Sequence, residues 1–139
     1  MTTFTHHPAE DLLHFRLDGL LPPERTLIVN LATRTAILLS QSPTEATYLV
    51  AQQHFSPNSM RVLLPLLTAY PHYCAYETLL TGLFSISSDD ARRLLLDTWE
   101  VAIRPIRRAI SNLVVSLRVF GLCIRNIRGA GYLIEALTD

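Results

Sequence analysis

Six arginines, Arg104, Arg107, Arg108, Arg118, Arg125 and Arg128, fall between Val101 and Ile134, a stretch that holds no Asp or Glu. Guanidinium groups gathered in this way suit bidentate recognition of phosphate oxygens or of a purine edge. Ser111 and Asn112 lie inside the same stretch, and an Asn side chain can read adenine through two hydrogen bonds. All 12 basic residues of the chain are Arg, balanced by 12 acidic residues to a formal net charge of zero. Net charge alone therefore gives no support for a nucleic-acid partner. Its distribution does, because a cationic C-terminal segment follows an acidic remainder.

Other chemistry is thinly represented. His6, His7, His14, His54 and His72 are scattered, and no zinc-protease, nucleophile-elbow or phosphate-loop spacing occurs. His72 and Cys74 sit two residues apart, a chance adjacency in a turn. Cys74 and Cys123 show no metal-binding spacing and read as buried, reduced thiols. The expectation is a protein that is not an enzyme and holds no metal or cofactor. Apolar residues make up 49% of the 139 and charged ones 17%, which excludes a solvated, disordered chain and suits one domain over residues 1–139. The N-terminus lacks the basic and apolar regions of a secretory signal. Apolar runs such as Val62–Leu67 are too short to cross a bilayer, so a cytoplasmic protein without membrane contact is expected.

The arginines must be positioned by an α+β fold. Residues 1–11 read as a flexible N-terminus. Residues 12–55 read as an antiparallel sheet of about four strands: Leu12–Leu17, Thr26–Leu31, Arg34–Ser40 and Ala46–Gln52, with Ala32-Thr33, Pro22-Pro23 and Ser42-Pro43 as turns. Residues 56–121 read as three to four helices. Ser56-Pro57 is an N-cap followed by Pro at the first helical position, with Met60, Leu63, Leu64 and Leu67 at helical spacing and Pro65 expected to kink or shorten the helix. Tyr70-Pro71 ends it. Tyr76–Phe84 is a second helix, and Ser87-Ser88-Asp89-Asp90 opens a third with Leu94, Leu95, Leu96 and Trp99 as its apolar face. A long helix over about residues 105–119 follows Pro105, with Ile106, Ile110, Leu113 and Leu117 as its core stripe and Gly121 as its stop. Residues 122–135 read as a hairpin turning at Gly129-Ala130-Gly131, both glycines permitting positive φ, with Tyr132 packing its base onto the helices.

That order resembles the OmpR/PhoB-type winged helix-turn-helix effector domain. The matching residues are Ile110-Ser111-Asn112-Leu113 through Leu117, then Phe120-Gly121-Leu122-Cys123-Ile124-Arg125-Asn126-Ile127-Arg128-Gly129-Ala130-Gly131-Tyr132-Leu133. Upstream, Phe55-Ser56-Pro57 with Met60 to Leu67 is similar to the family's first helix, and Pro71 with Tyr76-Glu77-Thr78-Leu79-Leu80 to its second. The resemblance covers roughly residues 12–135, and its C-terminal part is the specific one. It implies a sequence-specific DNA-binding regulator of bacterial transcription, binding double-stranded DNA as a homodimer. The recognition helix enters the major groove and the hairpin wing the adjacent minor groove. On that basis Ser111 and Asn112 face base edges, Arg104 contacts the backbone, and Arg128 at the wing tip enters the minor groove, whose negative potential favours Arg.

By helical spacing Arg104, Arg108, Ser111, Val115 and Arg118 share one face, flanked by Arg107 and Asn112. The sequence departs from the family at Val114, Val115 and Ser116, where the pattern has basic residues. Two charges fewer should flatten the salt dependence of binding. An effector without a receiver domain is expected, and the Ser85–Ala102 segment is longer than a plain turn, in the region where the family touches the transcription machinery. Val114, Val115, Leu95 and Trp99 therefore motivate an alternative, a winged-helix protein-interaction module with RNA polymerase or another regulator as partner.

Overall fold

A computed structural model describes residues 11–138, so the N-terminal flexibility expected for residues 1–11 falls almost wholly outside the described residues. Four strands come first: β1 (Leu12–Phe15), β2 (Arg25–Asn30), β3 (Thr35–Ser42) and β4 (Glu45–His54). They form an antiparallel sheet in chain order. Alternation sets its faces: Leu27, Val29, Ala36, Leu38 and Ser40 are buried while their neighbours are not, the period-2 signature of a sheet covered on one side. The β2–β3 reversal falls at the expected Ala32-Thr33, whose backbone N–H groups donate to the Asn30 side-chain oxygen.

Helix α1 (Pro57–Ala69) begins as its sequence dictates, with the Ser56 hydroxyl accepting from the Ser59 N–H and Pro57 in the first turn. Pro65 does not shorten it. The helix continues to Ala69, and α2 (Tyr76–Phe84) lies close against the turn before Pro65, because a Cβ on Gly82 would stand 2.8 Å from the Arg61 carbonyl oxygen. That carbonyl is the one Pro65 cannot satisfy. A two-residue strand, β5 (Cys74–Ala75), precedes α2, and α3 (Ser88–Asp97) starts at the Ser87 cap.

The last helix differs from expectation at its start. Helix α4 runs Trp99–Leu117 with Pro105 inside it, rather than beginning after Pro105. Thr98 closes α3 and opens α4, so Pro105 sits in the second turn, and its missing bond falls on the exposed Val101. The apolar face expected for Leu94, Leu95, Leu96 and Trp99 also breaks up. Three successive leucines span about 200° of a helix; Leu95 packs on the core, Leu96 is 79% exposed, and Trp99 belongs to α4.

The predicted core stripe of α4 is borne out, with Ile106, Ile110, Leu113 and Leu117 all buried. A 3₁₀ turn over Arg118–Phe120 leads to Gly121 at φ +74°, the left-handed stop. Strands β6 (Leu122–Ile127) and β7 (Gly131–Ala136) then form a hairpin, and β5 adds to β7 to give a three-stranded sheet in the order β5-β7-β6. One continuous core joins both sheets and the helices, and Phe55 stacks on Phe120 at 6.5 Å between ring centres. The architecture is α+β in the winged helix-turn-helix order. Among the described residues no helix is long and apolar enough to cross a membrane.

Candidate nucleic-acid interface

The solvent face of α4 follows from its buried one. At about 100° per residue, Arg104, Arg108, Ser111, Val115 and Arg118 cluster opposite the Ile106–Leu117 stripe, and all five are exposed, as are Arg107 and Asn112 at the margins. Among the described residues, Arg104, Arg107, Arg108, Arg118 and Arg128 take part in no ion pair; the pairs that form join Arg92 to Glu77 and Asp89, Arg93 to Asp90, and Arg125 to Glu135. Five guanidiniums are thus left for an external anion.

Arg125 stands apart. The acid-free stretch ends at Ile134, and Glu135 on β7 pairs with Arg125 across the hairpin, so its charge is balanced within the wing. Val114 is half-buried and packs on the core with Leu95, while Val115 stays exposed.

The wing is held at a defined place beside α4. Its turn closes through the Ala130 N–H donating to the Ile127 carbonyl at 2.9 Å, with Gly129 at φ +76° and Arg128 exposed next to it. Gly131, expected to need positive φ, does not have it. Its reason is close approach: a Cβ there would lie 1.9 Å from the Cys74 carbonyl oxygen on β5, so only glycine lets β5 pair with β7.

Tyr76, the first residue of α2, ties these parts together. Its ring meets Trp99 of α4 edge-on at 5.2 Å and Tyr132 of β7 edge-on at 5.8 Å. Asn126 of β6 donates to its hydroxyl at 3.2 Å, and the Tyr76 N–H donates to the Ala130 carbonyl at 3.3 Å. Tyr132 thus packs the wing base as expected, and burial pushes its phenol upward while Asn126 and the charge of nearby Arg107 work the other way. Nothing in the sequence marks Tyr76 or Asn126 as a bracing residue. A lone aromatic at a helix start and a polar strand residue carry no signal until β5 brings them together.

His72 is exposed and Cys74 buried, so the two share no environment. Burial pushes the Cys74 thiol up to about 11, which keeps it protonated at neutral pH. Cys123 is a half-buried free thiol.

What remains is an exposed face: helix α4 and the 3₁₀ turn after it bear four arginines unpaired among the described residues, a serine and an asparagine, beside a braced hairpin with a fifth arginine near its turn. Such a shape suits a groove with phosphates along its edges. No family model matches this chain, and no curated protein or solved structure matches it either.

Proposed function

We propose that this protein is a sequence-specific DNA-binding transcriptional regulator of the OmpR/PhoB type, acting without catalysis or cofactor in the bacterial cytoplasm. Helix α4 enters the major groove of double-stranded DNA, and the β6–β7 wing reaches the adjacent minor groove. The observation that carries the reading is the set of five unpaired arginines, Arg104, Arg107, Arg108, Arg118 and Arg128, on one helix face and the neighbouring wing. Arg104, Arg107 and Arg118 hold phosphates, Arg108, Ser111 and Asn112 face base edges, and Arg128 occupies the minor groove. Arg125 contributes less, because Glu135 already balances it. Two copies bind together as a homodimer on DNA. Gel shift with genomic fragments tests the reading: wild type binds at about 100 mM salt with strong salt sensitivity, and Arg108→Ala, Asn112→Ala and Arg128→Ala weaken it. Absence of any salt-sensitive complex refutes it.

A second reading is favoured by one observation. Leu80, Phe84, Ile86, Leu94, Val101 and Pro105 line an apolar groove among α2, α3 and α4, and such surfaces mark protein contacts. In this reading the protein is a winged-helix interaction module contacting RNA polymerase or another regulator through that groove; of the residues expected to contribute, Leu95 and Val114 pack on the core, Trp99 packs on Tyr76 and Val115 lies on the arginine-bearing face. Pull-down with Phe84→Glu and Leu94→Glu variants separates the two, because both residues line the groove and lie off the arginine-bearing face, so partner loss with intact DNA binding assigns the surface to protein.

A further inference from the structure

Val115, with exposed Val119 one turn on, is an apolar spot on the arginine-bearing face of the chain. It is 63% exposed and, eleven residues on from Arg104, lies about 20° from it around the helix. That places it in the middle of the solvent face, with Arg108 and Ser111 on the turns before it and Arg118 on the turn after. The buried stripe of α4 is complete without it. In the free protein its methyls face water and contribute nothing to the core. A β-branched side chain in a helix is held in one dominant χ1 rotamer, so the two methyls are presented rigidly and at little entropic cost on binding.

We propose that Val115 is a specificity-determining residue that reads the C5-methyl group of thymine on the floor of the major groove. The inference rests on the DNA-binding reading and deepens it by naming a base. The donors and acceptors of a base pair are read by polar side chains, while the thymine methyl is the one apolar feature of the major groove and is met by apolar contacts. A valine with Arg108 two turns before it and Arg118 and exposed Val119 on the turn after suits that floor: Arg118 reaches a phosphate at the groove edge, and the shorter side chain meets base edges. Asn112 lies one turn nearer the helix start, about 60° around from Val115, and its amide pairs with adenine. Both residues therefore favour A·T pairs in the site. Ser111, exposed on the same face, accepts either base and does not conflict.

The test uses the full chain and a random-sequence duplex library selected at about 100 mM salt, where phosphate contacts still register. The most enriched duplex is then synthesised twice, with thymidine and with deoxyuridine, which differ only by the C5-methyl. Wild type is expected to bind the deoxyuridine duplex about fourfold more weakly for each methyl contacted, the value of one buried methyl group, and Val115→Ala to lose that discrimination. Val115 supports no packing, so the variant folds, which melting of both proteins verifies. An enriched site without thymine, equal binding of both duplexes by wild type, or an unchanged preference in Val115→Ala overturns the inference and leaves DNA binding intact. Failure to enrich any duplex overturns the DNA-binding reading and the inference with it.

Discussion

Two hairpins of this chain are built to different ends. The β6–β7 hairpin is short, braced and cationic. Strand β5 pairs along one edge, Tyr76 grips it through a hydrogen bond and an edge-on ring contact, and Arg128 is exposed beside its turn. The β3–β4 hairpin is longer, and only its base is held: β2 pairs along β3 as far as Ser40, but from Glu45 to Leu49 every residue of β4 is exposed, Tyr48 and Leu49 each at 51%, and no Arg or Lys lies between Thr35 and His54. Bracing at the turn end, which β5 and Tyr76 give the β6–β7 pair and nothing described gives the tip of β3–β4, distinguishes a strand pair that can hold a turn residue in place from one that only extends a sheet.

The largest expected break in this contrast is Gly131→Ala. The added Cβ would have to displace backbone at 1.9 Å, so β5 must separate from β7. A loss of about 3 kcal/mol is expected from overpacking against atoms that cannot yield, measured by denaturant unfolding, together with weakened DNA binding as the wing loses its place. Asn126→Ala removes the bond to the Tyr76 hydroxyl and should cost about 1 kcal/mol, leaving the fold intact and the wing looser in hydrogen exchange. Glu135→Gln frees Arg125. Because the pair is largely exposed, stability should move by less than about 0.5 kcal/mol, while DNA affinity should rise as a sixth arginine becomes available. Smallest is Leu49→Ser near the exposed tip of the β3–β4 hairpin, with melting and DNA binding both unchanged within about 0.5 kcal/mol. A large effect there would mean that β4 has a role equal to that of the wing.

Much of this arrangement was legible in the sequence, and the exceptions have physical causes. Element types followed from periodicity, and the Ser56 and Ser87 caps from local hydrogen bonding that needs no tertiary context. The core stripe of α4 was equally plain. The start of α4 was not, because Pro105 reads as a helix boundary, whereas a proline in the second turn removes a single bond whose carbonyl partner lies on exposed Val101. Gly131 was expected for the wrong reason, since positive φ and close approach leave the same residue in a sequence. The exposed arginines of the candidate site were visible from their spacing. The loss of Arg125 to Glu135 was not, because strand register brings together residues ten apart in sequence.

The central claim is that five unpaired arginines on α4 and the wing meet DNA phosphates and bases, and the salt dependence of affinity for a selected duplex tests it most directly. With each phosphate contact contributing about 0.9 to the slope of log K against log salt, the three phosphate-holding arginines, Arg104, Arg107 and Arg118, should give wild type a slope of about −3. Arg104→Ala and Arg118→Ala should each reduce it by about one. A flat dependence, or a slope that neither substitution changes, would contradict the account.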